Sequence, residues 1–353
     1  MTQSSSSGTT LPRDCWYVIA LSSAIRNKPV SIPFEDGELV VTRNSAGTVA
    51  VRNARCAHRG CSLSSGWIQN DQLTCPYHGW RYDDGGQCRH IPSLRPEESI
   101  PAQARVKAYP AAEANGMVWA WIPGEHSQPT YAIETIPEVE RTDMVHQPDA
   151  DINYVFQTHF TRGIENGIDA THAPFLHGKS IGSVDPKADF SLPSYDVEIS
   201  KSGRSFRARM PIKVKKIRGP AQLLLKGDSN NAFKEYRFIY PNLLLSLVNF
   251  GRFTMVSLQA YVPTGGSSTL MLCANYRNFL RNKPLLTDWF NRVTVKTGGK
   301  IALEDDEVIK TQNPPAVTFK GSNEILIESD LILIEFRKMM RKFMNTATER
   351  QRP

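Results

Sequence analysis

Two short cysteine and histidine pairs in the first third of the chain are the residues best suited to bind metal. Cys56 and His58 form a Cys-x-His pair, and Cys75 and His78 form a Cys-x-x-His pair after sixteen intervening residues. A glycine follows each pair, which indicates two tight loops. A [2Fe–2S] cluster with two thiolates on one iron and two imidazoles on the other fits two such loops. One alternative is a zinc site with the same four ligands. The other is that the four residues do not come together in the fold.

A second group of ligand types follows about a hundred residues later. On a helix predicted over about 158–177, Asp169 and His172 are i,i+3 neighbours. His177 comes five residues after His172, about 140° away around an unbroken helix. Pro174 removes a backbone hydrogen bond and kinks or restarts the helix, and we expect this to bring His177 back toward His172. Two imidazoles and one carboxylate form a facial triad that suits non-haem Fe(II) and O₂. The alternative is a helix whose two histidines pack or face solvent.

Both motifs resemble those of the Rieske non-haem iron oxygenases. The two Cys/His pairs resemble the Rieske [2Fe–2S] domain, and residues 166–177 resemble the mononuclear-iron motif Asn-x-x-Asp-x-x-His-x(4)-His. The form is that of the aromatic O-demethylase branch, which includes vanillate and dicamba demethylases. The resemblance covers about 14–345. It implies that Cys56, His58, Cys75 and His78 hold the cluster and that His172 and His177 hold the iron.

The resemblance also implies where the third iron ligand lies. The family takes an Asp from a late helix, in a Glu/Gln-Asp pair with two apolar residues three and four positions on. Asp305 fits, because Val308 and Ile309 are that apolar pair. Asp306 stays the alternative, since it and Glu304 lie one residue away on other faces of the helix. The Asp and Glu residues of this helix that do not bind iron would form a solvated helix face.

A role for Asp169 follows from the same resemblance. In the family, an Asp three residues before the first iron histidine bridges to a cluster histidine of the next subunit in a ring, usually a trimer. Asp169 would therefore accept hydrogen bonds from His172 and from His78 of the partner subunit, and we expect a homotrimer. The alternative is an ordinary helix Asp that pairs with its own neighbours.

The other cysteines bear on the reduction potential of the cluster. Cys61 lies where high-potential Rieske proteins carry one half of an inter-loop disulfide, and the other half would fall at Tyr77. We therefore expect Cys61 and Cys88 to be free thiols. The resemblance then implies the low-potential end of the Rieske range, roughly −150 mV.

Length and composition exclude several other classes of protein. The chain has 353 residues, of which 40% are hydrophobic and 22% charged, so it can form a sizeable core and is not disordered throughout. Six cysteines are too few for a disulfide scaffold. No apolar run of the length that spans a membrane occurs. The polar start has no signal-peptide core, which favours a cytoplasmic protein.

The pattern of short β-type runs and turn residues predicts an α+β protein of two domains. We expect a disordered tail at 1–13, a Rieske [2Fe–2S] β domain at 14–124, a linker at 125–150 and a catalytic mononuclear-iron domain at 151–353. By resemblance, the catalytic domain is an antiparallel β-sheet surrounded by helices, of the helix-grip, START-like kind. Its predicted elements are strands at 206–214, 254–262 and 270–276 and helices at about 285–297, 300–312 and 330–344.

The function implied by the resemblance is that of a terminal oxygenase. A reductase or ferredoxin would pass electrons through the cluster to a mononuclear Fe(II), with NAD(P)H used only indirectly. O₂ would then serve to hydroxylate, and where a methoxy or N-methyl group is attacked to demethylate, a cyclic or aromatic substrate. The alternatives are a ring-hydroxylating cis-dioxygenase, a Rieske electron-transfer protein without oxygenase activity and a zinc-stabilised binding protein. Eight of the eighteen residues 201–218 are Lys or Arg. They form a solvated face, a docking surface for an acidic electron donor, or a surface that attracts an anionic substrate, and no nucleic-acid module is present.

Overall fold

The computed structural model describes residues 11–178, 180, 196–212, 232–265, 267–281 and 283–349. The chain divides into two compact units. The first comprises Asp14–Ile133 with Val262–Gly265, and the second comprises Glu134–Tyr261 with Gly266–Pro353. The first ten residues of the predicted tail lie outside the described residues, as do residues 213–218 of the basic stretch.

The first unit is built from three antiparallel sheets, with strand orders β1-β11-β10, β2-β3-β4-β9 and β5-β6-β7-β8. Its strands are β1 Cys15–Leu21, β2 Val30–Phe34, β3 Gly37–Arg43, β4 Val49–Asn53, β5 Trp67–Gln69, β6 Gln72–Thr74, β7 Arg81–Tyr82, β8 Cys88–His90, β9 Ala108–Tyr109, β10 Ala111–Ala114 and β11 Met117–Ile122. Strands β1 and β11 pair with each other, and every residue of both strands is buried. The loop with Cys75 and His78 joins β6 to β7, and the loop with Cys56 and His58 lies between β4 and β5.

The second unit is one eight-stranded sheet with helices. Its order is β12-β19-β18-β17-β16-β15-β14, and β13 also pairs with β19. The strands are β12 Val145–His146, β13 Ile152–Phe156, β14 Asp196–Ile199, β15 Ser205–Pro211, β16 Phe233–Ile239, β17 Leu243–Phe250, β18 Phe253–Pro263 and β19 Thr269–Arg277. The helices are α1 Pro137–Glu140, α2 Phe160–Ile168, α3 Ala173–Leu176, α4 Pro284–Ile309 and α5 Leu331–Glu349. The three predicted strands correspond to β15, β18 and β19, although Val214 lies outside the described residues.

The last helix docks on the sheet. Ile332, Phe336 and Met340 of α5 are buried, and the ring of Phe336 meets that of Phe238 on β16 edge-on at 5.0 Å. Asp330 caps the turn before α5 by accepting a hydrogen bond from the backbone N–H of Ile327 at 2.9 Å. Among the described helices, none is long and apolar enough to cross a membrane.

The helical stretch predicted over 158–177 is two helices, and the second one restarts at Pro174, one of the two outcomes expected from the sequence. Helix α2 ends at Ile168, and Asp169 is extended with φ −74° and ψ 122°. The Asp169 carboxylate accepts hydrogen bonds from the backbone N–H and the hydroxyl of Thr171, both at 2.6 Å, a local alternative that ends the helix. Pro174 lies in the first turn of α3, where its missing N–H costs nothing, and so starts a helix.

Two further boundaries differ from the predicted ones. The helices expected at 285–297 and 300–312 are the single helix α4, which continues through Gly298 and Gly299 because a glycine weakens a helix without ending it. Residues 134–150, expected as linker, pack into the second unit instead. Ile136 and Met144 are buried there, and β12 pairs with β19, so apolar burial draws this segment into the fold.

Candidate metal centres

Two loops of the first unit present the Cys/His pairs in the same way. The N–H of Gly60 donates to the carbonyl of Cys56 at 2.8 Å, and the N–H of Gly79 donates to that of Cys75 at 3.0 Å. Both glycines have φ +69°, a left-handed backbone that other residues adopt with strain. The paired turns therefore place each cysteine beside a histidine of its own loop.

The two imidazoles meet at the tips of these loops. The Nδ1 atoms of His58 and His78 lie 3.1 Å apart, and both side chains are exposed. The ring of His58 stacks on Trp80 at 4.7 Å, and Tyr77 lies 3.8 Å from the ring of His78. Desolvation, and then the charge of His58, lowers the pKa of His78, which favours the neutral imidazole that binds metal. The aromatic neighbours thus hold the two nitrogens toward one point.

The two thiols lie beneath them, buried. Cys56 and Cys75 are free, and burial raises the pKa of the Cys56 thiol, with Cys75 beside it adding to the effect. The hydroxyl of Tyr82 lies 3.1 Å from the Cys56 sulfur. Cys61 and Cys88 are also unbridged, as expected from the sequence.

The donor set fits a two-iron cluster better than a single zinc ion. The imidazole nitrogens of His58 and His78 face each other at 3.1 Å, and the thiols of Cys56 and Cys75 are buried, so the four ligands form one nitrogen pair and one sulfur pair. Two sulfurs on one side and two facing nitrogens on the other match the thiolate iron and the imidazole iron of a Rieske cluster.

The second unit brings together His172, His177 and Asp305, whose ligand atoms all lie within 4.8 Å of one another. Oδ1 of Asp305 is 3.0 Å from Nε2 of His177 and 3.5 Å from Nε2 of His172. Nevertheless, His177 Nε2 and Asp305 Oδ1 are buried without a hydrogen bond of acceptable geometry. Buried polar atoms are normally satisfied, so atoms that converge unsatisfied fit a metal ion between them. Two imidazoles and one carboxylate are the donor set of a non-haem Fe(II) site with open positions.

Each imidazole has a carboxylate behind it. Nδ1 of His177 is 2.9 Å from Oε2 of Glu304, and Nδ1 of His172 is 3.6 Å from Oδ2 of Asp169. The Glu304 contact is a hydrogen bond that fixes the ring orientation and the tautomer of His177 and leaves its Nε2 for a metal, whereas Nδ1 of His172 has no hydrogen-bond partner among the described residues. Ser180 donates a hydrogen bond to the other oxygen of Glu304. The sequence interpretation, a solvated helix face, missed Glu304, and only its position beside Asp305 could have drawn attention to it.

Asp305 and Asp306 have different partners, although they are adjacent on α4. Burial raises the pKa of Asp305, and the nearby imidazoles of His172 and His177 oppose that shift. Asp306 is buried too, but its Oδ1 accepts a hydrogen bond from the backbone N–H of Gln157 at 2.7 Å. The geometry therefore places Asp305 at the imidazoles and Asp306 at the end of β13.

Asp169 lies at the rim of this site. Burial acts to raise the pKa of its carboxyl, but the interactions with His172 and Thr171 outweigh burial and hold that pKa below its usual range. The carboxylate stays 24% exposed and the His172 side chain 22% exposed. Asp169 is therefore an ionised group that solvent, or another molecule, can reach.

A buried ionic network anchors α2, the helix that leads into the site. Arg162 pairs with Glu165 at 3.0 Å and with Glu324 at 2.8 Å, and Arg337 of α5 pairs with Glu324 at 2.8 Å. Arg162 also donates to the carbonyl of Pro314 at 2.9 Å. Since removing one member would leave a buried charge unpaired, the network fixes α2 against α5.

Comparison with known proteins divides the chain in the same way. Residues 15–110 match the family described as the Rieske [2Fe–2S] domain. Residues 156–346 match the vanillate O-demethylase oxygenase C-terminal domain, which covers more than half of the chain.

Several curated proteins are similar in sequence. Methylxanthine N3-demethylase NdmB of Pseudomonas putida is 27% identical over 336 residues, which cover 93% of this chain and 86% of that protein. Aminopyrrolnitrin oxygenase PrnD of Pseudomonas fluorescens is 30% identical over 61% of this chain and 60% of its own length. The 3-chlorobenzoate-3,4-dioxygenase oxygenase subunit of Comamonas testosteroni is 28% identical over 57% of this chain and 48% of its own length. The matches thus span about half the length of several curated relatives.

Solved structures share the fold. NdmA of Pseudomonas putida CBB5 with caffeine superposes with a TM-score of 0.76 at 21% identity, over 95% of this chain and 91% of that one. Dicamba monooxygenase bound to dicamba superposes with a TM-score of 0.76 at 21% identity, over 97% of this chain and all of that one. At this level of identity, the likeness establishes the architecture.

Proposed function

The chain belongs to the Rieske non-haem iron oxygenases, and from that premise we propose that it is a terminal oxygenase that hydroxylates, and thereby demethylates, a cyclic or aromatic substrate. The observation that carries the proposal is the convergence of two buried, unsatisfied ligand atoms, His177 Nε2 and Asp305 Oδ1, beside His172. When bound, the cluster supplies electrons one at a time and the mononuclear iron activates O₂.

The residues have separate roles in this proposal. Cys56, His58, Cys75 and His78 hold the cluster, and His172, His177 and Asp305 hold the iron. The hydroxyl of Tyr82 lies within hydrogen-bond distance of the Cys56 sulfur. The facial arrangement leaves open positions for O₂, and the buried carboxylate of Asp305 lowers the charge of the site.

Asp169 is proposed to connect the two centres between subunits of a ring. Its carboxylate is 24% exposed, and the exposed His78 is similarly reachable, so one subunit's Asp169 can accept a hydrogen bond from His78 of the partner subunit. An external reductase or ferredoxin is the proposed electron source. This route for electrons gives a reason for an ionised Asp169 at the edge of the iron site, beside Thr171 and His172.

Demethylation is favoured over cis-dihydroxylation by the type of relative. The longer of the two domain matches is to an O-demethylase oxygenase, and the relative matched over the most of this chain, among those described above, is named an N-demethylase. A relative named as a dioxygenase keeps dihydroxylation as the second candidate.

The test is turnover with a surrogate NAD(P)H-dependent reductase and ferredoxin. The panel comprises aromatic methyl ethers, N-methyl compounds, polycyclic alkaloids and sterols, and the products followed are formaldehyde, monohydroxylated compounds and cis-diols. We expect formaldehyde in step with O₂ consumption. A red-brown protein with two irons and full sulfide per chain, and no O₂-dependent product, would instead identify an electron carrier.

A matched pair of variants tests the iron site in the same assay. Asp305→Asn should empty the mononuclear site and stop product formation, whereas Asp306→Asn keeps the acceptor for Gln157 and should retain iron. The reverse iron contents would assign the ligand to Asp306.

A further inference from the structure

The sheet face that carries the helices is incompletely filled near its middle. Along β18, residues whose side chains lie on that face alternate with residues whose side chains lie on the other face and are fully buried. Met255, Ser257 and Gln259 are half-buried, whereas Val256 and Leu258 between them are at most 1% exposed. A face that is covered by helices but not closed leaves space for a small molecule.

This space lies beside the helix that leads to the iron ligands. Tyr261, the next residue of β18 on this face, is buried against α2, where a Cβ added at Gly163 would lie 2.8 Å from its ring. One turn later, a side chain at Gly167 would collide with the Tyr261 hydroxyl. Burial and then the charge of Asp305 raise the pKa of Tyr261, so its phenol stays protonated. The hydroxyl is therefore a fixed donor close to the iron site.

That donor orients the amide of Gln259. The Tyr261 hydroxyl donates to Oε1 of Gln259 at 3.1 Å, which leaves the amide nitrogen with both of its N–H donors. Among the described residues, Nε2 of Gln259 has no hydrogen-bond partner. Leu244 pairs with Gln259 across the strands and reaches Gly167 of α2, so Gln259 faces the helices and not the opposite side.

The charges around this space disfavour an anion. On this face of β16–β18 the cation is Lys234, which lies two residues beyond Tyr236 with its Nζ 4.5 Å over that ring. Asp169, Asp305 and Glu304 surround the iron site, but Lys300 pairs with Glu304 at 3.7 Å, so with one divalent ion these charges cancel and leave no net positive charge to attract an anion. A carboxylate beside Gln259 would be partly desolvated without a partner.

We propose that Gln259, oriented by Tyr261, selects the substrate as a neutral molecule with a hydrogen-bond-accepting oxygen or nitrogen, such as a ketone, amide or imide. Ser246, half-buried on the same face and paired across the strands with Ser257, is a further polar group of this surface. The inference rests on the proposed function, because it names the substrate class of the same site.

Three aromatic methyl ethers that differ in one group test the selection. The probes are 4-methoxyacetophenone, 4-methoxybenzoate and 4-ethylanisole, which carry a neutral acceptor, a carboxylate and no acceptor. Their binding to the anaerobic, iron-loaded full chain is measured by ligand-observed NMR titration without a reductase. We expect the ketone to bind about three- to ten-fold more tightly than the other two, the range expected for one neutral hydrogen bond.

Two variants and a control locate the preference. Gln259→Leu keeps most of the volume and should abolish the preference for the ketone, and Tyr261→Phe should reduce it while keeping the ring against Gly163. Gln312→Leu, an exposed position after α4, should bind as wild type does. A preference for the carboxylate, equal affinities, no binding, or a preference unchanged in Gln259→Leu would overturn the inference. Because no turnover is involved, failure of the oxygenase proposal is recorded separately, by absence of O₂-dependent product.

Discussion

At the scale of single residues, the imidazole rings are oriented by groups that bind no metal themselves. Glu304 holds Nδ1 of His177 and is itself bound by Ser180, while Asp169 lies behind Nδ1 of His172. With Nδ1 of His177 hydrogen-bonded to Glu304, its Nε2 is the nitrogen that faces Asp305. The orientation of the metal-binding imidazoles therefore depends on residues that do not bind the metal themselves.

Replacement of Glu304 should weaken iron binding. Glu304→Ala removes the acceptor for His177, and we expect about 10- to 100-fold weaker Fe(II) affinity with an unchanged cluster spectrum. The measurement is iron retained against a graded chelator. Glu307→Gln is the control, because Glu307 is on the same helix but pairs with Lys310 in solvent. Wild-type affinity in Glu304→Ala would show that His177 needs no such support.

Tyr82 should tune the cluster potential. Its hydroxyl lies 3.1 Å from the Cys56 sulfur, and a donor to sulfur stabilises the more negative, reduced cluster. Loss of one hydrogen bond of about 1 kcal/mol in Tyr82→Phe should lower a one-electron potential by about 40 mV. Redox titration followed by EPR measures the change. Tyr77→Phe, which keeps the ring beside His78, should leave the potential where it was, and an unchanged or higher potential in Tyr82→Phe would contradict this role.

At the scale of elements, glycines decide how closely helices approach the sheet. Gly163 and Gly167 admit Tyr261 against α2, and Gly298 admits Ile152 of β13 against α4. The predicted helices 285–297 and 300–312 leave out Gly298 and Gly299, whereas both glycines lie inside α4 and Gly298 is needed for packing. Because α4 is continuous, one rigid helix both packs against β13 at Gly298 and places Asp305 at the iron site.

The two adjacent glycines of α4 should respond oppositely to alanine. A methyl group at Gly298 would collide with Cδ1 of Ile152, whereas nothing lies within 4 Å of one at Gly299. Gly299→Ala should stabilise the protein by about 0.5–1 kcal/mol through helix propensity. Gly298→Ala should lose that gain to overpacking and fall about 1–2 kcal/mol below Gly299→Ala. Urea unfolding compares the two, and equal free energies of unfolding would argue against close packing at Gly298.

At the scale of the whole molecule, the two centres belong to separate units, and the proposed function requires electrons to pass between them. The cluster residues lie in Asp14–Ile133, and the iron residues lie in the second unit. Asp169 has one oxygen held by Thr171 and the other directed to His172 at the accessible rim of the iron site. A contact between subunits through this carboxylate is the proposed connection.

Asp169→Asn should separate cluster reduction from turnover. The change removes the negative charge that lies 3.6 Å from Nδ1 of His172 and that is proposed to accept a hydrogen bond from His78 of the partner subunit, while every proposed ligand remains. We expect a wild-type cluster spectrum and normal reduction by dithionite, but little product per electron supplied. Both are measured in one sample, alongside the oligomeric state by light scattering. Near wild-type turnover in Asp169→Asn, or a fully active monomer, would rule out the route between subunits.

The sequence by itself determined the division into a Rieske domain and an oxygenase domain and identified candidate ligands. Those candidates could be read from the chain because their spacing is local: each loop pairs a cysteine with a histidine two or three residues later, and His172 precedes His177 by five. The alternating strands β15, β18 and β19 could be predicted for the same reason, since a period of two is visible within one segment.

Only the tertiary structure decided how these residues are supported. His177 meets Glu304 across 127 positions of the chain, Gln157 meets Asp306 across 149, and Arg337 meets Glu165 across 172. No local pattern encodes such pairs, because they depend on how α4 and α5 pack against α2 and the sheet. The orientation of each imidazole, the separate positions of Asp305 and Asp306 and the free amide of Gln259 are therefore consequences of packing between elements, which sequence spacing does not carry.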